Sequence, residues 1–390
     1  MYDNIVIGCG FAGSVIARYL AEKLNKKVLI LERRNHIAGN MYDFKDENDI
    51  LVQLYGPHTF HTNNKELYEY INRFGQWEPF KLKCMAYIDG KYTPSPFNFQ
   101  TIDDFYCKEN AHLLKERIKE YYKDKEKATI VELMNCEDML IRSFANFLFE
   151  KDYSLYTAKQ WGISPKKIDV SVLGRVPVLF SYKDGYFDDV YQVMPKESFT
   201  KVFENILSHP NIEIKFNTEA KDLITIDTNR KKVYFKDREV TSPIIYTGAI
   251  DHLLDYKYGV LPYRSLRFDF STKYVKSYQD APVVAYPQAE GFTRITEFTK
   301  IPIQKKELTK IAIEYPLQYD PDEKTEPYYP VLTEESIRKY KKYQSELEDI
   351  NNLFLCGRLA DFKYYNMDQV LEQALCTCKN IELWYGLKNA

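Results

Sequence analysis

Tyr2-Asp3-Asn4-Ile5-Val6-Ile7-Gly8-Cys9-Gly10-Phe11-Ala12-Gly13 is an apolar run that ends in G-x-G-x-x-G. A helical stretch follows, then a second apolar run, Val28-Leu29-Ile30-Leu31, closed by Glu32. The order of these pieces carries more than the glycines do. In a strand–turn–helix–strand unit, Gly8 permits the tight turn and Gly10 lets backbone approach a pyrophosphate. Gly13 lets the helix pack closely on the strand. Phe11 and Ala12 lie inside the same turn. Glu32 stands nineteen residues beyond Gly13, where a carboxylate can accept hydrogen bonds from a ribose diol. The pattern predicts a dinucleotide-binding βαβ start.

A chain of 390 residues can bury a large core and hold two or three structural units. Its formal charge of −2 offers no electrostatic footprint for nucleic acid or an anionic membrane surface. The seven cysteines are odd in number, scattered and without C-x-x-C spacing. That suits a reduced, cytoplasmic chain with no zinc site. No basic-then-apolar leader precedes the first strand, and no apolar run approaches the roughly 20 residues of a membrane span. The expectation is a soluble protein without membrane insertion. The unusual component is tyrosine, 33 residues beside 23 phenylalanines. Aromatic rings with polar tips stack on flat groups and still hydrogen-bond.

Residues 109–156 repeat Lys, Glu, Leu and Ile at three- and four-residue spacing, the mark of helices. Short strands are expected over 211–245, and the run Ile244-Ile245-Tyr246-Thr247-Gly248 reads as a strand ending beside a ligand. Alternation over 264–315 predicts an antiparallel sheet with one covered face. Leu353-Phe354-Leu355-Cys356-Gly357-Arg358 is a buried strand, followed by a helix over 367–385 for which Asn366 is a suitable cap. The expected class is α/β, a Rossmann-like domain with a helical insertion and an antiparallel β-sheet domain. The dinucleotide unit would be discontinuous, from 1–75, 195–250 and 350–390. A helical insertion would occupy 95–165, and the sheet domain 76–94, 166–194 and 251–349. The late strand–Gly-Arg–helix unit and His36-Ile37-Ala38-Gly39-Asn40 after Glu32-Arg33-Arg34 favour FAD over NAD. They offer a long cofactor several grips, among them Arg33, Gly39, Asn40, Arg358 and Met367. The final helix could aim its positive N-terminus at the flavin and favour an anionic reduced ring.

Seven ordered segments then resemble the bacterial UDP-galactopyranose mutases. They are Tyr55-Gly56-Pro57-His58-Thr59-Phe60-His61-Thr62, Tyr156-Thr157-Ala158-Lys159-Gln160-Trp161-Gly162, Arg175-Val176-Pro177-Val178, Tyr186-Phe187, Phe292-Thr293-Arg294-Ile295, Glu326-Pro327-Tyr328-Tyr329-Pro330, and Gly357-Arg358-Leu359 leading to Tyr364-Tyr365-Asn366-Met367-Asp368. The resemblance spans nearly the whole chain. It implies a flavoenzyme with no net redox reaction, interconverting pyranose and furanose forms of a nucleotide-linked sugar. Reduced FAD would attack the anomeric carbon through N5 and pass through an iminium adduct. Arg175 and Arg294 match the family's phosphate-clamping arginines, and Tyr186, Tyr329 and Tyr364 its diphosphate and sugar contacts. Tyr156, with Thr157 after it, matches the base-stacking tyrosine, and Trp161 the tryptophan beside a mobile lid at about 166–178. His61 matches the histidine beside the flavin; His58 is counted among the cofactor-binding residues, in a more structural role. A metal pair at His58 and His61 is not expected, because no carboxylate or cysteine completes a set. The resemblance also implies a homodimer.

Departures from the family's pattern gather at the expected sugar site. Phe80-Lys81-Leu82-Lys83-Cys84 stands where Phe-Thr-Asn-Ser-Pro is usual, so Leu82 replaces an asparagine that would face substrate. Leu179 replaces an arginine, Glu197-Ser198 a Gly-Gly pair, and Asn366 an aspartate. An apolar residue for an amide suits a 6-deoxy or otherwise altered sugar, since an amide facing a methyl costs about 1–3 kcal/mol. Two other classes stay open. An amine-oxidase-like FAD oxidoreductase shares the Gly-rich turn but leaves the two arginines unexplained. An inactive flavin-binding relative would explain the departures alone.

Overall fold

The computed structural model describes residues 2–161, 176–323 and 325–388. Its centre is a five-stranded sheet in the order Ile212–Lys215, Val28–Leu31, Asn4–Ile7, Ile244–Tyr246, Leu353–Leu355, with every neighbour parallel. Because side chains alternate across a strand, each strand feeds two cores. Val6, Ile30 and Ile245 face the helices Phe11–Lys23 and Met367–Lys388. Ile5, Ile7, Leu29, Leu31 and Ile244 face the opposite side, where the short helix Ile250–Leu253 and the helix Glu334–Leu347 cover them. A parallel sheet needs cover on both faces, and the near-continuous apolar strands supply it.

The Gly-rich turn works as its spacing predicts. Gly8 has φ +98°, and a Cβ there would lie 2.2 Å from Thr247 Oγ1. At Gly13 a Cβ would lie 2.0 Å from the Gly8 carbonyl oxygen, so glycine alone lets helix and strand meet.

Beside this unit stands a seven-stranded sheet in the order Tyr329–Pro330, Tyr263–Lys273, Thr309–Gln318, Arg294–Glu297, Val283–Ala285, Cys84–Ile88, Lys91–Ser95. It is antiparallel, as the alternation leads one to expect, except where Val283–Ala285 runs parallel to Cys84–Ile88. That one parallel pair joins strands almost two hundred residues apart, a pairing local pattern cannot show. Helices Phe99–Phe105, Lys108–Tyr121, Ile130–Met134 and Met139–Leu148 form a third cluster around Ile118, Ile141, Phe144 and Leu148. A π-helical turn, Phe149–Tyr153, then leads into the helix Ser154–Trp161. Leu179 pairs with Lys127 and donates its N–H to the Phe97 carbonyl, so it belongs to this helical unit. Ser198 caps the helix Phe199–Leu207 by accepting the Lys201 N–H, which gives the Glu197-Ser198 departure a local role. No described helix is long and apolar enough to cross a membrane.

Candidate active site

A cavity of about 530 Å³ runs across the carboxyl ends of the parallel strands, the position where open α/β sheets hold nucleotides. Gly8, Gly10, Phe11, Ala12, Glu32, Arg33, Gly39, Asn40, His58, Arg358 and Met367 all line it. Gly13 lies behind, in the helix–strand contact. A Cβ on Gly39 would come within 2.9 Å of the Gly10 Cα, so two glycine backbones form one wall. Helix Phe11–Lys23 has no side-chain cap and offers its first N–H groups to the cavity. Glu32 is buried; Oε2 accepts the Cys9 N–H at 2.7 Å and Oε1 the Arg34 N–H at 2.8 Å. Each oxygen keeps a lone pair for a hydroxyl. The far end reaches Arg358, Met367 and the start of the final helix. A glycine cradle, an uncapped helix, an acid at the diol position and a second helix N-terminus fit FAD.

Tertiary packing adds residues that the sequence pattern had not singled out. Thr218, Glu219, Ala249 and His252 line the cavity, where they join Glu326 and Tyr328 of a segment already quoted. Glu326 pairs with both Arg33 and Arg34, while the Arg34 guanidinium lies 4.3 Å from the Tyr55 ring centre. These contacts join segments too far apart for a local motif.

Arg294 anchors the second part of the site. It lies directly across the ladder from Glu314, and its Nε donates to Glu314 Oε2 at 2.6 Å. Glu314 is buried and also takes the Thr293 hydroxyl at 3.2 Å. Among the described residues the two Nη groups have no hydrogen-bond partner, which leaves four donors of the guanidinium fork. Burial works against the Arg294 charge, but Glu314 and the Tyr156 and Tyr329 rings outweigh it and hold the pKa well above the ordinary arginine value. Burial raises the Tyr156 phenol, with Arg294 opposing, and pushes Tyr186 up to about 12. Both are neutral donors near pH 7. Cys84, on the strand opposite Val283, is pushed up to about 12 by burial and feels the Arg294 charge, so an apolar sulfur borders the arginine. Leu82 lies behind it, buried with Met41, Met194, Val283 and Phe298, and its carbonyl accepts the Tyr186 N–H.

Tyr329 and Tyr364 stack with centroids 5.2 Å apart, and the Arg358 guanidinium sits 4.7 Å from the first ring centre. Arg358 is held there by the Tyr365 carbonyl at 2.6 Å. Tyr156 and Thr157 ride on helix Ser154–Trp161, where Gln160 Nε2 reaches the Tyr156 hydroxyl at 3.4 Å. On that helix Lys159 Nζ donates to the carbonyls of Tyr286, Ala289 and Phe292 at 2.6, 2.9 and 2.8 Å. It thereby fastens the helix to the turn before Arg294. In the preceding π-helical turn, burial pushes the Asp152 carboxyl up to about 7 against the pull of Lys159.

His61 Nδ1 lies 2.8 Å from Asp189 Oδ2, and Phe187 stacks on the imidazole at 3.6 Å. His58 Nδ1 instead meets the Gly56 carbonyl, so the two histidines answer to different partners. Among the described residues no group of three or more His, Cys, Asp or Glu side chains is placed to hold a metal. Asn366 is exposed, its N–H donates to Gln369 Oε1, and its carbonyl takes the Val370 N–H at the start of the last helix. Arg175 and most of the expected lid, 166–175, fall outside the described residues, as does the Trp161 side chain.

Comparison with known proteins agrees with this geometry. Residues 151–364 match the family model described as UDP-galactopyranose mutase, and residues 6–74 one for an NAD(P)-binding Rossmann-like domain. The chain is 33% identical to the dTDP-fucopyranose mutase of Escherichia coli, over 96% of this chain and 97% of that one. It is 34% identical to a probable UDP-galactopyranose mutase of Klebsiella pneumoniae, over 96% and 93%. Its fold is similar to that of a reduced UDP-galactopyranose mutase, with TM-score 0.70 and 17% identity over 99% of this chain and 96% of that one.

Proposed function

The chain belongs to the UDP-galactopyranose mutase family, an FAD-dependent mutase of a nucleotide-linked sugar, and on that premise we propose that it acts on a 6-deoxyhexose carried by a nucleoside diphosphate. Bound and reduced, the flavin supplies a nucleophilic nitrogen for the anomeric carbon. The protein's part is to hold the diphosphate while its bond to the sugar breaks and re-forms. Arg294 carries this reading: a fixed cation, countered from one side by Glu314, offers Nη donors that no described residue takes to an anion among neutral phenols. Tyr186, Tyr329 and Tyr364 take the diphosphate and sugar in this reading, with Arg175 as the second clamp. Tyr156 stacks on the base beside Trp161. His61, Arg358 and the start of the final helix face the flavin, while Glu32 takes the ribose of its adenosine half. A homodimer in the cytoplasm belongs to the same reading.

Two observations support the missing hydroxyl. The Cys84 thiol lies near Tyr186 and Arg294, and Leu82, whose carbonyl takes the Tyr186 N–H, packs into the apolar core beside it. One relative matched over nearly its full length is a dTDP-fucopyranose mutase, whose sugar ends in a methyl group. The test is turnover by the dithionite-reduced enzyme of UDP-galactose, its 6-deoxy and N-acetyl analogues and their dTDP and GDP forms. The 6-deoxy substrates should lead in kcat/KM by about 10- to 100-fold over their hydroxylated counterparts, with no furanose formed without reductant. Leu82→Asn should narrow that ratio. Full turnover of UDP-galactose with none of any 6-deoxy analogue would overturn the assignment.

A further inference from the structure

The loop between strands Thr309–Gln318 and Tyr329–Pro330 puts Pro321, Thr325, Glu326 and Pro327 into the wall of the cofactor cavity. Both its ends are fixed to the antiparallel sheet. The Tyr319 N–H donates to the Tyr263 carbonyl at 3.2 Å, and the Tyr328 N–H to the Arg264 carbonyl at 2.8 Å. Between these anchors the loop bonds to itself. Thr325 Oγ1 accepts the Asp320 N–H at 2.7 Å and donates to the Asp320 carbonyl at 2.9 Å, while Asp320 Oδ1 takes the Asp322 N–H at 2.9 Å. Among the described residues of 320–327, Glu326 alone makes a hydrogen bond or ion pair to the rest of the chain.

Glu326 Oε2 meets both Arg33 and Arg34, which follow the central strand Val28–Leu31 and line the same cavity. Arg34 is a fixed socket. Its N–H donates to Glu32, its Nη1 donates to Asn40 Oδ1 at 3.0 Å, and its guanidinium lies on the Tyr55 ring. The Tyr55 hydroxyl in turn meets His36 Nε2 at 2.8 Å. Burial works against the Arg34 charge, but Glu326 leads the neighbours that sustain it and keep its pKa above the ordinary arginine value. Arg33 is the more exposed partner. One carboxylate thus ties the antiparallel-sheet side of the cavity wall to the dinucleotide-binding side.

We infer that Glu326 is a latch: through Arg33 and Arg34 it holds loop 320–327 against the dinucleotide unit, and this loop is the part of the wall that moves when FAD enters or leaves. The ground is an imbalance of attachment. Among the described residues, lifting the loop breaks the Glu326 pairs and no other polar contact with its surroundings, whereas moving the Gly-rich turn or the strand ends disrupts ladder bonds and a packed core. Glu326 acts through the two arginines and is a positioning residue for the cofactor.

The test is the rate at which FAD leaves the loaded enzyme, followed by timed gel filtration and flavin absorbance. Glu326→Ala should speed release about five- to thirtyfold. Arg33→Gln, at the exposed edge of the pair, should speed it about two- to fivefold. The double variant should go no further than Glu326→Ala, because both changes open one latch. Trypsin should cut the loaded Glu326→Ala enzyme faster after Lys324, the basic residue of the loop, than it cuts the natural enzyme. If Glu326 served only to balance charge, its removal would leave two cations beside an anionic cofactor and slow release. Slower or unchanged release in Glu326→Ala would therefore overturn the inference. So would fast release in Glu326→Ala with Arg33→Gln unmoved and no faster cut after Lys324, since the carboxylate would then act on FAD directly.

Discussion

Arg294 and Glu314 form a strand-to-strand pair in which, among the described residues, only one edge of the guanidinium is spent, and that makes the arginine available to a ligand. Arg294→Ala should therefore lower kcat/KM by about 10²- to 10³-fold, the usual scale for removing a preorganised donor from developing charge. FAD binding, followed by flavin absorbance, should be unchanged. His58 makes a different prediction, about stability. Burial lowers its pKa from 6.5 to about 4, with the Arg358 and Arg294 charges acting the same way. Between those values the unfolded chain binds a proton that the folded chain refuses, so the His58 contribution is lost as pH falls through that window. For the FAD-free protein, urea unfolding at pH 5 against pH 7 should show about 2 kcal/mol of loss from this residue. His58→Asn, which can still donate to the Gly56 carbonyl, should remove that share. At this scale the sequence was partly legible: Arg294 sits in a recognisable motif, while Glu314, Lys159 and Asp189 owe their positions to partners 20 to 133 residues away.

Helix Ser154–Trp161 shows how an element is placed by a few side chains. Arg264 on strand Tyr263–Lys273 donates to Gln160 Oε1 at 3.1 Å, and Lys159 adds the rest. Its short length and modest amphipathicity do not hold it against the sheet, but Lys159 binds three carbonyls of the turn that precedes Arg294. Lys159→Met keeps the side-chain length and removes the donors, leaving those carbonyls unpaired. The expected cost is about 1–3 kcal/mol in urea unfolding, together with lower turnover, because the helix carries Tyr156 and the turn leads to Arg294. Unchanged turnover would show that the two elements are positioned independently. The Gly-rich turn is the contrasting case. Its backbone needs are local: glycine at the φ +98° position and no Cβ at Gly13 against the Gly8 carbonyl. That is why it was readable from the pattern, and why Gly13→Ala should abolish FAD retention.

At the scale of the molecule, the central sheet draws its strands from five separate stretches, with Leu353–Leu355 at one edge. Helix Met367–Lys388 then packs on Phe11–Lys23 across nearly the whole length of the chain, sharing the core of Val15, Leu20, Leu371 and Ile381. Deleting residues 350–388 should therefore yield a chain that binds no FAD and loses its cooperative thermal transition, because the parallel core is left open on one face. A cooperative transition in the truncated chain would show that the sheet closes without its last strand and helix. The sequence by itself determined the α/β class, the dinucleotide turn and the family of the chemistry, since strand periodicity, glycine spacing and short motifs are properties of neighbouring residues. Only the tertiary structure decided that Glu314 takes one edge of Arg294, that Lys159 ties helix to turn and that Asp189 meets His61. Those contacts join residues whose closeness is produced by folding, and no local pattern encodes the distance between them.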